Sequence, residues 1–154
     1  MWRMLAALVL VLGALALVGL LYVRLAPSNP SRWHVDPLKA KRPDRPNAFL
    51  MQPGADRNAA HVFETDAKNL ALAFDRLALS QPRVSRLAGT PEKLFTTYIA
   101  RSPLIGFPDY ISVRAVDLGQ GRAALAIFSR ARFGYSDLGV NKKRILDWLG
   151  KLAP

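Results

Sequence analysis

The hydropathy pattern opens with one unbroken apolar run, Met4 to Val23, closed by Arg3 on one side and Arg24 on the other. Wound as a helix at about 1.5 Å per residue, the run is about 30 Å long, the thickness of a bilayer's hydrocarbon core. It predicts a transmembrane anchor over residues 1–25. A cleaved signal peptide begins in the same way, but its apolar core is shorter, about 7–15 residues, and ends in small residues at the cut. Here Arg24-Leu25-Ala26-Pro27 offers an arginine and a proline at those places. Nothing beyond Arg24 is apolar enough to cross again.

From Pro27 to Pro53 the pattern breaks down, and six of the chain's 11 prolines fall in this stretch. Residues 26–60 therefore read as a Pro-rich basic linker or irregular strap. Such chain favours extended conformations, which would hold a domain well away from the bilayer at about 3 Å per residue. Trp33, His34 and Val35 interrupt it. Trp33 suits either the aromatic belt at a membrane interface or a packed position on the domain. Phe49-Leu50-Met51 suits a short strand or hook.

Regular periodicity returns in residues 61–154. Thr65-Asp66 supplies a helix N-cap, Leu70, Phe74 and Leu77 follow on one stripe, and Pro82 ends the helix. Four segments with period-two character come next: Arg83 to Leu87, Lys93 to Ala100, Tyr110 to Asp117 and Arg122 to Phe133. In the last, Ala123, Leu125, Ile127, Ser129, Ala131 and Phe133 share one face, and Arg122, Ala124, Ala126, Phe128, Arg130 and Arg132 share the other. Gly119-Gln120-Gly121 reads as a hairpin turn. An amphipathic helix from Asp137 to Leu152 closes the chain, with Leu138, Ile145, Leu149 and Leu152 along its stripe. The expectation is an α+β domain, an antiparallel sheet of about four strands with two helices on one face.

Charge refines the picture. The chain carries a net charge of +11, with 22 Lys+Arg against 11 Asp+Glu spread over both linker and domain. Beside a membrane this suits anionic lipid head groups, each basic residue near the surface adding about 1 kcal/mol. Nucleic acid is a poor fit, because the basic residues are dispersed and no recognition motif accompanies them. Positive-inside bias after the run, through Arg24, Arg32, Lys39, Lys41, Arg42 and Arg45, puts the domain in the cytoplasm. With so little chain ahead of the helix, export of the domain is built as readily, so the side stays open, periplasmic or cytoplasmic. The absence of cysteine fits both.

Familiar catalytic patterns are missing. There is no Gly-rich phosphate loop and no Gly-x-Ser-x-Gly elbow. With no Cys and only His34 and His61, no metal site of ordinary composition is expected, and no cofactor either. The segment that looks specified beyond folding is Ser129 to Arg144. Gly134 permits a tight turn, Ser136 or Asp137 caps the final helix, and Asn141 falls on its inward stripe. Two readings fit these residues. In one, Asp137 caps the helix and pairs with Arg130 or Arg132. In the other, Arg130, Arg132, Ser136, Asp137 and Asn141 gather a phosphate or carboxylate at the helix start.

These residues also carry a resemblance. Phe107-Pro-Asp-Tyr-Ile-Ser-Val-Arg114, followed by Ala126 to Asn141 with serine-arginine-x-arginine, glycine-x-serine-aspartate and glycine-valine-asparagine elements in order, resembles the domain of unknown function 1499 family. The likeness reaches back to Pro46-Asn47, and the anchored front end resembles proteobacterial members. It implies a signature of Asp109, Ser129, Arg130, Arg132, Gly134, Ser136, Asp137, Gly139 and Asn141, and no activity, since none is established for the family. Related chains often have serine where this one has Ala131.

The link Ser102 to Asp109 is apolar where hairpin loops are usually polar, through Leu104, Ile105 and Phe107. These side chains either fold over the core or form a lip for lipid or protein. Taken together, the sequence predicts a single-pass protein of the bacterial inner membrane with a binding or structural module at its surface, an anion or lipid head group being the leading partner. The alternatives are a tethered hydrolase or transferase using Asp109 or Asp137 with Arg130 and Arg132, and a protein-binding accessory subunit.

Overall fold

The apolar run winds into α1, Trp2–Leu25, whose central window is unburied by any other part of the chain. By length and composition it qualifies as a membrane span or a signal sequence. The computed structural model describes residues 1–55 and 59–152. Residues 56–58 and 153–154, which belong to the ranges read as linker and domain, lie outside the described residues.

The domain is an antiparallel sheet with helices on one face, as the alternating segments require. The four predicted strands are β3 (Val84–Thr90), β4 (Phe95–Arg101), β5 (Pro108–Gly119) and β6 (Arg122–Ala131), with β5 and β6 joined at Gln120-Gly121. Both turn residues have positive φ, as a tight two-residue hairpin of matching twist needs. Two short strands raise the count among the described residues to six: β1 (Ala48–Met51) and β2 (Val62–Phe63) both pair antiparallel with β6, at its two ends. β1 takes the strand alternative read for Phe49-Leu50-Met51, whereas the two-residue β2 is too short for alternation to announce it. The order across the sheet is β1-β6-β5-β4-β3, with β2 beside β6.

Helix α3 (Ala67–Ser80) starts where Asp66 accepts a hydrogen bond from the Asn69 amide at 2.8 Å, and buries Leu70, Phe74 and Ala78. It packs with α4 (Val140–Leu152) on the face carrying Ala123, Leu125, Ile127, Ile111 and Val113. Each large apolar side chain buried there contributes about 1.5–3 kcal/mol. Asp75 is a buried acid on the inward side of α3. It accepts two nitrogens of Arg86 and the Tyr98 hydroxyl, tying α3 to β3 and β4. Burial, then the bond to Asp75, pushes the Tyr98 phenol pKa up, so its hydroxyl stays a donor.

On the second face of the sheet, the stretch read as a linker or irregular strap takes the strap form: residues 26–37 fold back over β4, β5 and β6 instead of extending away from the domain. Helix α2 (Pro30–Trp33) is a single turn capped by Asn29, and it lays Trp33 on Tyr110 with ring centroids 3.9 Å apart. His34 stacks on Phe95 at 3.8 Å and bonds Thr97 through Nδ1 at 2.8 Å. Asp36 accepts from Arg114 at 3.0 Å, and Pro37 is buried. The reason is chemical: Tyr110, Thr97, Ser112 and Arg114 form a face too polar to read as core, yet rich in partners for a strap's backbone and rings. Gly89 is required beneath it. Its φ is +75°, and a Cβ there would overlap the Phe95 carbonyl and crowd His34.

Candidate functional site

The signature residues divide between the two faces of the sheet. On β6, Ser129 points to the helices and Arg130 to the strap, because successive strand residues alternate. Arg130 donates to the carbonyls of Arg32 at 3.3 Å and Trp33 at 3.1 Å, and its guanidinium lies over the Trp33 and Phe128 rings. Its Nε is buried without a hydrogen-bond partner among the described residues. Burial, then the charge of Arg32, lowers its pKa. Arg132 donates to the carbonyls of Ala26 and Pro27 and to the Tyr110 hydroxyl. Both arginines therefore clasp the strap. Neither joins Ser136, Asp137 or Asn141 at the start of α4, and neither pairs with Asp137.

The helix side holds a different group. Asn141 is fully buried. Its Oδ1 accepts the Ser129 hydroxyl and Arg144 Nη1, while its Nδ2 donates to Asp137 Oδ2 at 2.7 Å. Arg144 continues to Asp109 Oδ2 at 2.8 Å, both side chains being largely buried. Burial pushes the Asp109 carboxyl up despite the guanidinium beside it. Asp137 also accepts the amides of Gly139 and Asn141, which makes it the cap of α4. Burial would raise its pKa, but those hydrogen bonds outweigh it and hold it below the usual carboxylate value.

Backbone geometry explains the turn. Gly134, Leu138 and Gly139 all have positive φ, so the chain doubles back before α4 starts at Val140. Leu138, expected on the inward stripe, instead precedes α4 and is 93% exposed; the buried stripe of α4 is Asn141, Ile145, Trp148 and Leu149. Ser136 is exposed and bonds the Leu138 amide. Asn47 donates to the Gly134 carbonyl, and the Pro46 carbonyl accepts the Asp137 amide. Those contacts locate the two residues at which the resemblance begins.

This network lines one wall of a cleft of about 550 Å³. Asp109, Asp137 and Arg144 are polar; Phe107, Phe133 and Trp148 are apolar; Arg83 and Arg101 stand at the rim. Arg83 Nε donates to the Arg101 carbonyl and Arg101 Nη1 to the Gly106 carbonyl, and neither guanidinium is bonded to a carboxylate among the described residues. Sequence reasoning missed Arg83, Arg101 and Arg144. Arg83 immediately precedes β3 and Arg101 ends β4, so only the pairing of those strands joins them; Arg144 was signalled by its three-residue spacing from Asn141. Among the described residues no group of three His, Asp or Glu side chains could hold a metal ion.

Fold and site together define a small mixed α+β domain, carrying a buried polar network at one end of an antiparallel sheet and an apolar helix at its N-terminus. The chain belongs to the family described as Protein of unknown function (DUF1499), whose family model matches residues 40–152. Every member of the Asp109, Arg144, Asn141, Ser129 and Asp137 network falls inside that span, whereas the strap carbonyls held by Arg130 and Arg132 precede it. No curated protein matches the chain.

Proposed function

We propose that this is a single-pass binding module of the bacterial inner membrane, anchored by α1, and that the cleft beside Asp109 and Arg144 takes an amphiphile with an anionic group. One observation carries the reading: Arg83 and Arg101, without carboxylate partners among the described residues, stand at the rim of a cleft walled by Phe107, Phe133 and Trp148. Two guanidiniums suit an anionic head, and the aromatic wall suits a hydrocarbon stem. The anion site thus moves from Arg130 and Arg132, which are occupied by the strap, to the cleft at the end of the sheet where α4 begins.

Thermal unfolding of the full chain in non-ionic detergent tests this. A long-chain alkyl phosphate is expected to raise the midpoint saturably, inorganic phosphate less, and a neutral alkyl glycoside not at all. At about 100 times its dissociation constant a ligand adds about 2.7 kcal/mol. Arg83→Gln, an exposed position, should weaken the effect without lowering the ligand-free midpoint. Equal stabilisation by the neutral amphiphile would defeat the anion reading.

A further inference from the structure

The apolar link between β4 and β5 is not folded over the core. Leu104 is 86% exposed, Ile105 42% and Phe107 38%. Its backbone, by contrast, is well supplied with partners. Arg24, in the last turn of α1, donates to the carbonyls of Leu104 and Ile105 at 2.9 and 3.1 Å, and Arg101 donates to that of Gly106. The Ser102 hydroxyl accepts the amides of Gly106 and Phe107, and the Ser102 amide donates to the Phe107 carbonyl. Gly106 packs so close to Arg24 that a Cβ would come within 3.3 Å of its Cγ. Tyr22 of α1 meets Phe133 edge-on at 6.3 Å, and Phe133 meets Phe107 at 5.9 Å.

We propose that this loop is a second membrane contact, with Leu104 and Ile105 inserted at the headgroup–acyl boundary of the bilayer that α1 crosses. The inference rests on the reading of α1 as an anchor. Three observations select lipid as the occupant. The loop is bonded to the residue that directly follows the apolar run, so its tip stands at the depth where that run leaves the hydrocarbon. Several of its backbone polar groups are satisfied within the protein, the condition for entering a medium without water. Arg24, Arg83 and Arg101 nearby complement anionic phosphates, while the apolar side chains face outward. The mouth of the cleft, which Phe107 and Pro103 help to line, then opens at the lipid surface.

The chain contains no cysteine, so single labels are easily introduced. The full chain is reconstituted in vesicles of phosphatidylcholine and phosphatidylglycerol, with an environment-sensitive fluorophore at Leu104→Cys, Leu12→Cys or Leu118→Cys. Leu104 and Leu118 are exposed and outside the core, so their replacement leaves folding intact. Leu118 lies at the far end of β5, about 30 Å away at the strand rise of about 3.3 Å per residue. Lipid-borne nitroxide is expected to quench the labels at 12 and 104 and to spare the one at 118. Quenching at 12 without quenching at 104 would overturn the inference, leaving the anchor intact and the patch to a protein partner. No quenching at 12 would overturn the anchor reading, and the inference with it.

Discussion

One side-chain amide at the base of α4 serves three groups. Asn141 receives Ser129 and Arg144 on its oxygen and reaches Asp137 with its nitrogen, while its backbone N–H also goes to Asp137. A leucine there would keep the volume and strand three polar partners in a buried place. Asn141→Leu is expected to lower unfolding free energy by about 2–3 kcal/mol, read by urea denaturation, because unsatisfied buried groups cost about 1–3 kcal/mol each. An unchanged midpoint would mean that water replaces the amide. The inward position of Asn141 was legible from helical spacing alone. Its neighbours were harder to assign, since nearness in sequence drew Arg130 and Arg132 toward the helix start. Strand alternation already put Ser129 and Arg130 on opposite faces, and that alternation decided the outcome.

At the level of elements, the strap changes the chemistry of a whole sheet face. His34 lies between Phe95, Thr97, Arg114 and Asp36. Burial first, and then Arg114, lowers its pKa below the ordinary 6.5, with Asp36 opposing. The neutral ring is thus the form that fits. Its contribution to stability is fully present above the unfolded value and is lost as pH falls below it, through the folded value. Thermal midpoints should therefore drop as pH falls below the ordinary 6.5, and His34→Gln should flatten that slope. A slope unchanged in the variant would assign the effect elsewhere. The helices and long strands were legible because their periods are local. The strap was legible only as one alternative to a linker: its hydrogen bonds to the sheet join residues 63 to 106 positions apart, which no short window registers.

For the molecule as a whole, the practical boundary of the domain follows from the strap and lies at Ala26, ahead of the region that carries sequence signals. A fragment starting at Pro46 keeps β1 to α4 but uncovers Tyr110 and Ile99 and frees Arg130 and Arg132 from the carbonyls they hold. It is expected to unfold at a lower temperature than a fragment starting at Ala26 and to self-associate on gel filtration, since exposed apolar patches of this kind drive association. Equal behaviour of the two fragments would show that the strap adds nothing to the fold. The family match beginning at residue 40 is consistent with a sheet-and-helix unit to which the strap is added from the N-terminal side.

The strap also sets an order of events during synthesis. Trp33 and His34 leave the ribosome before any strand they cover, and the last of those, β6, is complete only at Ala131. Closing so long a loop follows the hairpins, whose contacts are local and form sooner. The face bearing Tyr110 therefore stays open until synthesis has passed Ala131. During that interval the segment just past α1 is exposed to proteases and chaperones.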